Sequence, residues 1–128
     1  MNSILYGEGG IRHLSSLIAG ELLDEFNKKF ANLSNYSVEP RTFFPFTRIL
    51  TEEQKAGARF SALIVPKDPN TEMVFIFSEA TIDKSTMNAT ENMSADERKQ
   101  YVRELLRPSF DELCRVTMKK LRELGESV

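Results

Sequence analysis

The chain has one cysteine, Cys114, and one histidine, His13, so these two residues are the possible cysteine–histidine pair for nucleophilic catalysis. Such chemistry needs a base within reach of the nucleophile. Cys114 falls on the apolar stripe of a predicted helix, where a thiol is expected to be buried and inert. His13 falls on the polar side of another predicted helix, and the two residues cannot complete a tetrahedral zinc site. We therefore expect no catalytic residue, no metal site and no cofactor, and we interpret the chain as a protein that is not an enzyme.

Three acidic residues, Glu21, Asp24 and Glu25, cluster on the first predicted helix. A cluster of carboxylates can hold magnesium, but the polar side of an amphipathic helix is usually solvated. We expect a solvated helix face at this cluster.

The strongest binding chemistry lies between Arg41 and Arg48, where aromatic and polar residues alternate. On a sheet surface the phenylalanines could stack on unpaired bases while the arginines contact phosphates. The same strand could instead pair with another chain, either a second copy or a different protein. A third interpretation places alternate phenylalanines in the core. The candidate partner-binding residues are Arg41, Phe43, Phe44, Phe46 and Arg48.

A second, weaker candidate is a basic strip on the last predicted helix, formed by Arg115, Lys119 and Arg122 on the face opposite the apolar stripe. Glu104 and Asp111 lie on or beside that face and dilute its positive charge. We expect a mixed, solvated surface at this strip.

Two amphipathic helices are predicted, one near each end of the chain. In the first, from about 11 to 31, apolar residues recur every three or four positions, which requires one buried face. The second begins after the Ser94 to Glu97 capping box. Pro108 interrupts the second pattern, so either the helix breaks there or one helix continues with a kink. The apolar stripe keeps its phase across the proline, which favours the continuous helix.

The segment between the helices predicts strands. Two apolar runs, Phe60 to Val65 and Met73 to Phe77, flank a polar turn and indicate a β-hairpin. We expect both of these strands to be buried beneath the helices. Residues 36–50 contain Pro40 and Pro45, which lack the N–H group of a sheet ladder and so indicate an edge strand or one broken by a bulge.

The order of elements is therefore helix, three or four strands, helix, in a single domain over residues 1–128. Hairpin-linked strands form an antiparallel sheet, and helices at the two ends of the chain cover one of its faces. We predict an α+β two-layer sandwich of order α-β-β-β-α. Residues 1–10 are predicted as a loose lead-in, 51–57 as a short helical turn or polar loop, and 83–93 as a polar connector.

Composition indicates the cellular compartment of the protein and the classes of partner that it attracts. A chain of 128 residues with a net charge of -2 has no overall attraction for nucleic acid or anionic membrane, and its single cysteine fits a reducing compartment. No segment reaches the roughly 18 apolar residues of a membrane-spanning helix, and the N-terminus lacks the features of a secretory signal. We expect a cytoplasmic protein, although four Asn-x-Ser/Thr patterns are present. They begin at Asn32, Asn35, Asn88 and Asn92.

No family signature is recognised in these residues. The observations favour a small binding or regulatory protein that acts through protein contact, with a homodimer as one form of that contact. The first alternative is a single-stranded nucleic-acid binder that uses the same aromatic residues. The second is a small-ligand binder, or an enzyme without a recognisable motif.

Overall fold

A computed structural model of the chain describes residues 11–50, 55–82 and 92–128. Side chains are described throughout these ranges except at positions 11–12, 44–50, 55–58 and 79–82, where the description covers the backbone. The elements are α1 (Ile11–Lys29), β1 (Tyr36–Leu50), β2 (Lys55–Pro66), β3 (Val74–Ile82) and α2 (Ala95–Glu123). The predicted α+β order α-β-β-β-α is confirmed, and the sheet has three strands among the described residues.

The strands form one antiparallel sheet with β2 in the middle. Strand β3 pairs with β2 in one unbroken register along its whole length. The pairing of β1 with β2 instead shifts twice, between Pro40 and Thr42 and between Phe44 and Arg48. A proline cannot donate to the ladder, and an irregular register bends the strand that carries it. The prediction of an interrupted edge strand is therefore confirmed.

Both helices pack on one face of the sheet, called here the inner face. Strand side chains alternate between the two faces, and on β2 the inner residues Phe60, Ala62 and Ile64 are fully buried. The register places Ser78, Ile76 and Val74 of β3 beside them on the same face. The helices supply the rest of the core, through Ile18, Leu22, Phe26, Phe30, Val102, Leu106, Phe110, Leu113, Cys114 and Leu121.

Helix α1 buries the face that its apolar spacing predicts. Ile18, Leu22 and Phe26 lie four residues apart and are all buried. The ring centroid of Phe26 lies 5.8 Å from that of Phe43 on β1 and 6.3 Å from that of Phe110 on α2. One aromatic side chain therefore joins three elements of the fold.

Helix α2 begins as its capping box predicts. The Glu97 N–H group donates to the Ser94 hydroxyl at 3.2 Å, and the Ser94 N–H group donates to the Glu97 carboxylate at 3.1 Å. The helix then runs through Pro108 without a break, so the interpretation of one continuous helix is confirmed. It ends before Gly125, whose φ of 90° favours glycine and closes the last turn.

One prediction for the strands is wrong in part. Residues 55–57, expected in a helical turn or a loop, form the start of β2, while residues 51–54 lie outside the described ranges. Lys55 is opposite Leu50 in the register, so pairing with β1 has prevailed over the local helix-start signal. The predicted lead-in (1–10) and nearly all of the predicted connector (83–93) also lie outside the described ranges.

The longer of the two described helices, α2, carries charged residues along most of its length. In the part of the chain that the structure describes, no helix is both long and apolar enough to cross a membrane.

Candidate functional site

The face of the sheet turned away from the helices, called here the outer face, carries exposed aromatic side chains. Phe75 is 55% exposed and Phe77 is 51% exposed. They lie two residues apart on β3 and so point to the same side. Their ring centroids are 5.9 Å apart, with the ring planes inclined by 31°. The prediction that both hairpin strands are buried is therefore wrong for these two residues, because the helices cover only the inner face, and it is wrong for Met73 as well.

A basic residue and further apolar residues adjoin this aromatic pair. The guanidinium carbon of Arg59 on β2 lies 5.1 Å from the centroid of the Phe77 ring, which is a cation–π distance. Leu63, half-buried, is opposite Phe75 in the register. Met73, just before β3, is 61% exposed. We call Leu63, Met73, Phe75 and Phe77 the outer apolar patch.

Each face of the sheet has a buried serine, and the two serines differ in the hydrogen bonding of their hydroxyl groups. On the inner face the Ser78 hydroxyl donates a hydrogen bond of 2.7 Å to the carbonyl oxygen of Ser109. On the outer face Ser61 lies in the register between Thr42 and Phe77 and is fully buried. Its hydroxyl has no hydrogen-bond partner among the described residues. An unpaired buried hydroxyl costs free energy that a bonded one does not.

The candidate residues of β1 do not share one surface. Phe43 belongs to the core, with its ring centroid 5.0 Å from that of Phe60 and 6.4 Å from that of Phe110. Arg41 is exposed, and its Nη2 atom lies 4.0 Å from Oε1 of Glu39. The remaining candidates have side chains outside the described part of the structure: Phe44, Phe46 and Arg48.

The basic strip of α2 is partly neutralised. Arg115 donates from Nε to the Glu112 carboxylate at 3.0 Å, and a second bond from its Nη2 completes the pair. This hydrogen bonding lowers the pKa of Glu112 and keeps the carboxylate ionised. Lys119 is exposed, and Arg122 donates from Nε to the carbonyl oxygen of Val128 at 3.4 Å.

The residues considered for catalysis lie in different environments. His13 is exposed on α1, whereas Cys114 is buried in the core. Burial raises the pKa of the Cys114 thiol to about 11. The thiol therefore stays protonated at neutral pH, in the form that is a poor nucleophile.

Two carboxylates of the acidic cluster on α1 bind arginines of α2. Glu21 lies 2.9 Å from Arg103, and Glu25 lies 2.8 Å from Arg107. All four side chains are at least one third exposed, so each pair contributes modestly, about 0.2–1 kcal/mol. Over the described ranges, no group of three or more histidine, cysteine or acidic side chains is placed to hold a metal ion.

A groove follows the edge of the molecule where β3 and α2 meet. It consists of two depressions, of about 350 and 430 Å³, and both are lined by Phe77 and Val116. Lys120 lines the first depression and Glu112 lines the second. We call this feature the edge groove.

No family model, curated protein or solved structure matches this chain. Sequence reasoning missed Phe75 and Phe77, although the run Val74 to Phe77 carries a usable signal. It is apolar at every position and lacks the alternation of a strand with one solvated face, which indicates a strand that is covered on both faces.

Proposed function

We propose that this protein is a small non-catalytic binding or regulatory protein that acts in the cytoplasm by contact with another protein. The observation that supports the proposal is the outer apolar patch, in which Phe75 and Phe77 are each about half exposed. Large apolar residues gathered on one surface are typical of interaction sites.

The partner that suits this surface presents an apolar face of its own. The inner face of the same sheet is covered by the apolar sides of two amphipathic helices, so an amphipathic helix of another protein is the fitting counterpart. Covering the exposed halves of the two phenylalanines would contribute about 2 kcal/mol. Arg59, stacked on Phe77, would lie within the contact.

Retention of partners from the native source tests the contact. The variant carries Phe75→Ser and Phe77→Ser, and the matched control is Leu17→Ser, since Leu17 is an exposed apolar residue on α1 (47%). We expect one protein to be retained in a stoichiometric amount by the original chain and by the control, and to be lost with the double variant. Calorimetry on the purified pair should then give a negative heat-capacity change on binding. Equal retention by all three chains, or retention by none, would overturn the proposal.

The cytoplasmic part of the proposal rests on the unpaired, buried Cys114. Asn32, Asn35 and Asn92 begin Asn-x-Ser/Thr patterns and are exposed, so they would be accessible acceptors in a secreted chain. The native protein should have the mass of the unmodified chain. A mass that falls after glycosidase treatment would contradict the cytoplasmic assignment.

A second candidate function is supported by the same patch. Two adjacent exposed rings beside an arginine resemble a platform on which the bases of single-stranded nucleic acid stack. The net charge of -2 and the pairing of Arg41 with Glu39 weigh against it. Binding of a mixed-sequence oligonucleotide, measured by fluorescence anisotropy, should weaken steeply with salt and with Phe77→Ser if this function holds. Absence of binding at low salt would remove this candidate.

A further inference from the structure

The two edges of the sheet differ in their capacity to accept another strand. Strand β1, at one edge, contains Pro40 and Pro45 and has two register shifts against β2, and these irregularities hinder the pairing of a further strand. Strand β3 contains no proline, has an unbroken register with β2, and pairs with β2 alone among the described residues. A regular, largely apolar edge strand of nine residues is a ready template for a further strand.

The helix beside this edge carries a self-complementary row of residues. Glu112, Val116 and Lys120 lie four positions apart on α2, so they form one ridge, and all three line the edge groove. The ridge is acidic at one end, where Glu112 also accepts from Arg115 of its own helix, apolar in the middle and basic at the other end. If two copies of the ridge meet antiparallel about Val116, Glu112 of each copy faces Lys120 of the other.

Strand β3 can pair with a second copy of itself about the same kind of two-fold axis. A two-fold axis at Ile76 places Phe75 opposite Phe77 of the second copy on the outer face, a favourable cross-strand aromatic pair. It also continues the alternation of faces, since both residues of each such pair point to the same side. Phe77 and Val116 line both halves of the groove, so the centre of the ridge lies beside Phe77, the next residue along the strand from Ile76.

The spacing of the two layers is compatible with this pairing. Paired strands lie about 4.8 Å apart. Helix α2 contacts both β2 and β3, so its axis is set back from the edge of the sheet. With that axis over the gap between β2 and β3, a two-fold axis at the edge separates the two α2 axes by two strand spacings, about 10 Å, which is the distance at which helices pack.

We propose that a second copy of this chain occupies the edge groove, forming a symmetric dimer through antiparallel pairing of the two β3 strands and packing of the two Glu112–Val116–Lys120 ridges. The dimer has a continuous six-stranded sheet with four helices on one face. The dimer rests on the proposed function, protein contact, and names a second copy of the chain as one partner. It leaves the outer apolar patch of both copies open to another protein.

Charge reversal on the ridge tests the proposal. Sedimentation equilibrium should show the mass of the original chain rising from monomer to dimer with concentration. Glu112→Lys alone and Lys120→Glu alone each convert two attractive pairs into two repulsive ones, and should weaken dimerisation about tenfold or more. The controls Asp24→Lys and Lys28→Glu make the same charge reversals at exposed positions on α1, away from the ridge, and should leave the dissociation constant unchanged.

Mixing the variants gives the more specific result. Glu112→Lys mixed with Lys120→Glu restores both attractive pairs and should form a heterodimer, as should the double variant with itself. Hydrogen exchange should show every second amide of β3 becoming protected as concentration rises, since only alternate N–H groups face the edge. Circular dichroism confirms that each variant is folded.

The proposal is overturned if the original chain stays monomeric up to its solubility limit. It is also overturned if a dimer forms whose dissociation constant does not change when the ridge charges are reversed. Failure here is distinguishable from failure of the outer-face contact. A monomer that still retains a partner through Phe75 and Phe77 overturns the dimer alone. A dimer that responds to charge reversal but retains no other protein overturns the outer-face contact alone.

Discussion

Strand β3 shows the two faces of the sheet side by side. Its inner residues Ile76 and Ser78 lie beneath the helices and are buried, whereas Phe75 and Phe77 are about half exposed. The exposed residues are the larger and more apolar of the two sets. Burial on this strand therefore follows from where the helices lie and does not follow from residue type.

The difference has a physical origin in the order of the elements. Both described helices pack on the inner face, so the described part of the chain supplies one helical layer for a central strand pair with apolar residues on both faces. The inner face serves folding, and the outer face retains apolar surface that binding can bury. Mutations on the two faces should consequently affect different measurements.

The largest expected effect is on the inner face. Phe60 is fully buried, and its ring centroid lies 5.0 Å from that of Phe43 and 6.3 Å from that of Phe110. Phe60→Ala removes these contacts and leaves a cavity, so the free energy of unfolding should fall by about 3–5 kcal/mol. Urea denaturation followed by circular dichroism measures it. A fall below about 1 kcal/mol would mean that the inner face is not the core of the fold.

A smaller loss is expected from the buried serine of the inner face. Ser78→Ala removes the 2.7 Å hydrogen bond to the carbonyl oxygen of Ser109, which joins β3 to α2. The free energy of unfolding should fall by about 1 kcal/mol. Ser78→Thr, which keeps the hydroxyl, is the control, and denaturation of the two variants under identical conditions makes the comparison. An unchanged midpoint for Ser78→Ala would show that this bond is not formed in solution.

Much of this architecture follows from periodicity that the sequence displays. The i, i+4 spacing of Ile18, Leu22 and Phe26 and the capping box at Ser94 predict α1 and the start of α2, and Pro40 predicts the irregular edge of β1. These are local signals, each produced by neighbouring residues. They hold because nothing elsewhere in the fold opposes them.

The candidate site depends on long-range arrangement and could not be predicted in the same way. Which of Ile76 and Phe77 is buried depends on helices that lie far away along the chain. The edge groove likewise needs β3 and α2 side by side, and no local pattern relates Phe77 to Val116. The continuous apolar run of β3 indicated that something covers both faces, but it could not say whether this chain supplies the second cover.

Truncation on the outer face should affect stability much less than truncation of Phe60. Phe75 is 55% exposed, and conversion to alanine removes its ring contact with Phe77 and its cross-strand pairing with Leu63. Phe75→Ala should therefore lower the free energy of unfolding by less than about 1 kcal/mol. Urea denaturation of a dilute sample, in which self-association is weakest, measures the effect. A loss comparable to that of Phe60→Ala would contradict the distinction between the two faces.

The smallest expected effect, and the one that separates the faces most finely, is at Ser61. Its hydroxyl is buried without a hydrogen-bond partner among the described residues, so Ser61→Ala removes a group that was desolvated with no compensation. Alanine is a slightly poorer strand residue, which offsets part of the gain. The free energy of unfolding should stay within about 0.5 kcal/mol of its original value, or rise.

Because Ser78→Ala makes the same chemical change on the opposite face and should cost about 1 kcal/mol, the difference between the two variants isolates the hydrogen bond from the serine itself. Equal losses from the two substitutions would show that the Ser61 hydroxyl is bonded in solution, and that the outer face is organised for folding as tightly as the inner one.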